Sequence, residues 1–158
     1  MTTSPTPPIE LTGTGARFTT PAVEVDPEVI DALADVCEVR TDEREVAEAS
    51  RDWWPLALHW SLAGEVPQVA DVVARPTTTE EVAGVVRVCD IARIPLTVAG
   101  GRSGVCGASV PVHGGVVLDM TGLAGVVAVD EESGVVEVLP GTFGPELERE
   151  LQVEHSLS

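Results

Sequence analysis

Hydrophobic positions recur with two different periods from residue 26 onward, and each change of period marks an element. Asp26-Pro27 opens a helix in which Val29, Ile30, Leu33 and Val36 recur at helical spacing, with Asp26 as N-cap and Pro27 in the first turn. A second short helix is expected from Asp42 to Ser50. Val69 to Ala74 reads as a strand ending at Arg75-Pro76. Thr78 with Glu81 three residues on forms a capping box, opening a helix with Val82, Val85, Val86 and Cys89 on one face. Pro95 ends that helix, and Leu96 to Ala99 is a second strand running into a glycine-rich loop. Beyond it Val116 to Asp119, Gly125 to Val129 and Val135 to Leu139 are β-branched runs, with residues 130–134 as a hairpin turn. Pro145 starts a last helix with Leu147 and Leu151 inward and Glu146, Glu148 and Glu150 outward.

Strand, helix, strand, loop, three strands and helix make an α+β order rather than a doubly wound one. Residues 1–22, rich in Thr, Pro and Gly, are expected to be a disordered tail, and 23–65 a short helical N-terminal region. Arg51 to Trp60 concentrates all three tryptophans of a chain with 3% aromatic residues. Two readings stay open for them: rings covering a core edge, or a contact to a ligand or domain.

Composition removes whole chemistries. The chain of 158 residues has nine Arg, no Lys and no Tyr, and its formal charge is −17. Without Lys there is no P-loop, no pyridoxal Schiff base and no Ser-x-x-Lys acyl enzyme. The negative charge argues against nucleic acid or an anionic membrane as partner. Cys37, Cys89 and Cys106 are widely spaced, with no metal-site pattern, and neither a signal peptide nor a transmembrane run is visible. A reduced, cytoplasmic protein is the expectation.

Candidate chemistry concentrates in Ala99-Gly100-Gly101-Arg102-Ser103-Gly104-Val105-Cys106-Gly107. Four glycines let the main chain turn successive N–H groups into one concavity, a nest for phosphates. No Asp or Glu lies between Asp90 and Asp119, whereas Arg93 and Arg102 do. The spacing does not fit the Gly-x-Gly-x-x-Gly dinucleotide fingerprint, and strands rather than a helix follow. Ser103 misses the spacing of a nucleophile elbow, and no catalytic residue can be assigned. A loop that merely turns the chain is the alternative.

Together, Ala74 to Val82, Ile94 to Pro111, Gly115 to Met120 and Leu139-Pro140-Gly141 resemble the first FAD-binding subdomain of the vanillyl-alcohol oxidase type (PCMH-type), over roughly residues 66–158. Within that family the similarity is greatest to alkyldihydroxyacetone-phosphate synthase and the flavin subunits of D-lactate or glycolate dehydrogenases. The resemblance implies an FAD-dependent oxidoreductase or synthase whose cofactor diphosphate is held by Ala99, Gly100, Gly101, Arg102, Ser103, Gly104 and Gly107, with Gly141 nearby. Arg102 replaces the usual glycine, and its guanidinium either adds a contact to the phosphates or points to solvent. No histidine lies in the loop, so non-covalent FAD is implied. The resemblance also implies a domain incomplete at its C-terminus: the N-terminal part of a flavoenzyme, completed by its missing remainder or another subunit, or else a non-catalytic remnant or binding module.

Overall fold

The computed structural model describes residues 7–155. Its centre is a four-stranded mixed sheet built from β2 (Glu38–Arg40), β4 (Val72–Arg75), β5 (Leu96–Ala99) and β6 (Val116–Asp119), in the order β2-β4-β6-β5. β2 runs antiparallel to β4, and β4, β6 and β5 are mutually parallel. Every residue of β6 is buried, as a central strand covered on both faces requires. Val72, Ala74, Val116 and Leu118 face one cluster with Leu33, Val85 and Cys89, while Val73, Val117 and Ala99 face a second with Val46 and Ala49.

Helices α1 (Pro27–Ala34) and α4 (Thr79–Ala92) cover the first face, and α2 (Glu43–Ala49) lies over the second. The Asp42 carboxylate caps α2 by accepting from the N–H groups of Arg44 and Glu45. Thr78 caps α4 through the Glu81 N–H, but Glu81 reaches back to the N–H of Thr77 rather than closing the box on Thr78. α4 ends where Arg93 adopts a left-handed conformation, two residues before Pro95. Residues 120–122 then form a short 3-10 turn, followed by the hairpin β7 (Val126–Asp130) and β8 (Val135–Val138) and by α5 (Gly144–Glu154).

Three features depart from the sequence reading. Residues 7–22, expected to be a tail, pack: Leu11 is 1% exposed against Ala47 and Val66, and β1 (Gly15–Ala16) pairs with β3 (Glu65–Val66). Leu11 and Phe18, isolated apolar residues in a polar stretch, are what anchor it. The first six residues of that expected tail lie outside the described range. Glu38–Arg40 adds an edge strand too short to show a period, whereas the tryptophan stretch carries a helix, α3 (Pro55–Ser61), inside the expected helical region 23–65. Finally, α5 has no buried residue; Leu147 and Leu151 are only half-buried. No helix among the described residues is long and apolar enough to cross a membrane.

Candidate functional site

The three parallel strands end side by side at Arg75, Ala99 and Asp119, and the glycine loop leaves from this carboxyl edge. In open parallel sheets that edge is where ligands bind, because the loops there can diverge to form a crevice. Ala99 is fully buried and fixes the loop's first residue. Gly100, Gly101 and Gly107 are partly buried, whereas Ser103, Gly104, Val105 and Cys106 are exposed. No main-chain N–H from Gly101 through Ser109 donates to another described residue, so a continuous run of amide donors remains available. Such a run suits a diphosphate, which offers several anionic oxygens to several donors.

The loop's underside is held by the tryptophan segment. The Trp53 N–H donates to the Gly104 carbonyl at 3.0 Å. A Cβ added at Gly107, whose φ is +77°, would sit 3.4 Å from the Trp54 ring. Trp54 stacks edge-on against Trp60 at 5.4 Å, and Trp60 meets Phe18 at 5.9 Å, which ties residues 7–22 to the same support. Beneath these lies Arg51, 1% exposed, hydrogen-bonded to Glu48 and to the hydroxyl of Ser61. The Trp54 ring therefore lies against the loop at Gly107, with the Trp60 ring stacked on it, while Trp53 holds the loop through its main chain. Their clustering was the signal in the sequence; their target was not readable there.

Gly141 is drawn to the same place. Its N–H donates to Leu123 O at 2.8 Å, and a Cβ there would lie 2.2 Å from Met120 O. The preceding Pro140 carbonyl oxygen is 3.3 Å from a Cβ built on Gly100. The turn at 140–141 thus abuts the start of the loop, bringing Gly141 beside Ala99 to Gly101, and tight packing alone accounts for the glycine at 141.

Two points correct the sequence picture. The acid-free window does not keep carboxylates away in space. Asp119 lies at the loop's root, and Asp52, fully buried, has its Oδ2 3.7 Å from a Cβ built on Gly104. Asp119 is neutralised: its Oδ2 accepts from Arg75 at 2.8 Å and its Oδ1 from the N–H and hydroxyl of Thr121. Burial would raise its carboxyl, but those hydrogen bonds from Thr121 and Arg75 outweigh it and hold the group below the ordinary range. Asp52 accepts from the Trp54 N–H through Oδ1, whereas its Oδ2 and Trp53 Nε1 are buried without partners among the described residues. Secondly, Arg102 does not point to solvent. It is 8% exposed, its φ is +53°, and burial pulls its guanidinium below the ordinary range although Asp119 opposes the shift.

Comparison with known proteins decides the family. The family described as an FAD binding domain matches residues 70–157, more than half of the chain. The chain belongs to this family. FAD is accordingly its cofactor, and the free amides of the loop fit that ligand's diphosphate. Among curated proteins, the D-lactate dehydrogenase of Anaerostipes hadrus is 37% identical over 73 residues, which is 46% of this chain and 15% of that protein. The glycolate oxidase subunit GlcD of Bacillus subtilis (strain 168) is 26% identical over 88 residues, 56% of this chain and 19% of that protein. The chain thus spans less than a fifth of either relative. A solved alkyldihydroxyacetonephosphate synthase superposes with a TM-score of 0.72 at 23% identity, over 92% of this chain and 29% of that one. A p-cresol methylhydroxylase with substrate bound gives 0.66 at 19% identity, over 81% and 24%. These two share the fold. The α+β architecture of the first FAD-binding subdomain expected from the sequence is the one found.

Proposed function

We propose that residues 99–107 form the diphosphate cradle of a flavin site and that FAD is held there without a covalent bond, as part of an oxidoreductase. The observation that carries this is the uninterrupted set of unpaired main-chain N–H groups from Gly101 through Ser109 at the carboxyl edge of a parallel sheet. The amides of Ser103 and Gly104 lie on the exposed part of the loop, and Gly107 turns the chain back over Trp54. Ala99 and Gly141 fix the loop's position rather than touch the ligand, since both are buried. Bound FAD supplies the capacity to accept and pass on a hydride or electrons; the chain supplies binding and orientation.

Groups that enclose the flavin ring and recognise a substrate are assigned to further polypeptide, in the same protein or a partner subunit. In support, the chain spans 15% and 19% of two curated relatives, whose names, a dehydrogenase and an oxidase subunit, favour redox chemistry. A cytoplasmic location is proposed from three unpaired thiols, Cys37, Cys89 and Cys106. The test is to purify the chain with FAD, desalt it, record the flavin spectrum and then precipitate the protein with acid. Flavin retained through desalting and released on precipitation is expected. Absence of flavin contradicts the cradle, and flavin left in the pellet contradicts non-covalent binding.

A further inference from the structure

Four of the nine cations in this strongly acidic chain line one cavity of about 520 Å³ on the α2 side of the sheet: Arg40, Arg44, Arg75 and Arg102. They come from β2, the first turn of α2, the end of β4 and the glycine loop, so they converge from different directions. Three of them are engaged elsewhere. Arg40 pairs with Glu38 and Glu45, Arg44 with Glu10, and Arg75 with Asp119. The lining carboxylates are also occupied: Asp42 caps α2, Glu45 takes Arg40, and Glu48 takes the buried Arg51.

Arg102 is the exception. It is 8% exposed, makes no hydrogen bond or ion pair among the described residues, and its Nε is buried without a partner. Its backbone is left-handed, with φ +53°, a conformation unfavourable for a residue with a Cβ. Asp119 and Glu48 act on this desolvated cation only from a distance, and without a direct ion pair, in an unfavourable backbone conformation, it requires compensation that these residues do not provide. Arg102 is also the single loop residue that lines the cavity, so its side chain leaves the loop's free amides and crosses to the α2 side.

We propose that this cavity is a second anion site, separate from the amide cradle, and that it takes a phosphate group. Guanidinium groups arriving from several elements match a tetrahedral oxyanion, which presents oxygens in several directions, better than a planar carboxylate. Arg102 makes the ion pair it otherwise lacks, and Arg40, Arg44 and Arg75 contribute their remaining N–H donors.

The test uses the flavin-free full chain and inorganic phosphate. Its melting temperature is followed as phosphate is raised at constant ionic strength, with chloride making up the difference. A saturating rise of at least about 3 °C over chloride is expected. Arg102→Gln, and separately Arg40→Gln combined with Arg44→Gln, should remove the saturating part; the second variant alters only half-exposed side chains and serves if the first does not fold. A rise of equal size in wild type and in the folded variants, or none beyond chloride, overturns the site. A repeat with saturating FAD separates this inference from the flavin reading. An unchanged phosphate midpoint supports two sites, whereas competition shows that the cavity takes the cofactor's own phosphate and overturns the second site.

Discussion

Residues 23–123 and residues 124–155 bury their apolar side chains to very different extents. In the first region the strands β4 and β6 are buried on both faces, and α1, α2 and α4 lie against them. In the second, β7, β8 and α5 contain no buried residue, and Val127, Val135 and Val153 are 55%, 60% and 73% exposed. Both regions carry similar β-branched runs, so composition does not set the difference. What differs is whether another layer lies on the second face of each strand. The regions are joined tightly where Gly141 sits under the 120–123 turn and its N–H donates to the Leu123 carbonyl. The loop that carries the candidate site belongs to the well-packed side and meets the other at Pro140, whose carbonyl oxygen faces Gly100.

The joint is where a substitution should cost most. Gly141→Val places atoms where Met120 O stands 2.2 Å from the first added carbon, and should cost about 3 kcal/mol in denaturant unfolding. A cost below about 1 kcal/mol would mean that the joint is loose. Next, Val117→Ala removes two buried methyl groups from the central strand and should cost about 2 kcal/mol. The same change at Val135, which is 60% exposed, should stay within about 0.5 kcal/mol. Equal effects at the two valines would erase the distinction. Asp119→Asn should cost about 1.5 kcal/mol at neutral pH through loss of its charged hydrogen bonds. The sign with pH follows from its lowered carboxyl. Its contribution is present above the ordinary Asp value of about 3.9 and is lost as pH falls through the still lower folded value. The penalty for Asp119→Asn should therefore shrink in acid; a penalty constant from pH 7 to pH 2.5 would remove Asp119 as the cause.

Much of the first region was legible in the sequence because its elements follow strict local rules. Asp26-Pro27, Asp42 and Thr78 mark helix starts, and the runs at 69–74 and 116–119 mark central strands, the first of which is found at Val72–Arg75. The loop's glycines announced a stretch whose main-chain N–H groups are not spent on secondary structure, as found from Gly101 through Ser109. Other features depend on residues far apart in the chain. Leu11 is an unremarkable apolar residue until Ala47 and Val66 close over it. Asp52 and Trp53 reach the loop from about fifty positions upstream. Arg102 could be read as a phosphate contact or a solvent-facing charge, and its passage to a cavity lined by β2 and α2 depends on folding that no local pattern specifies.

The glycine loop is the proposed seat of the FAD diphosphate. Trp53 and Trp54 contact this loop and Trp60 stacks on Trp54, so a flavin bound there must quench the chain's tryptophan fluorescence. The decisive measurement is an FAD titration of that fluorescence in wild type and in Gly104→Glu, which adds a negative side chain to the loop, its first carbon 3.7 Å from the buried Asp52 carboxylate. Saturable quenching in wild type, weakened at least about tenfold in a folded Gly104→Glu variant, is the predicted result. Equal affinity in the two proteins would contradict the account.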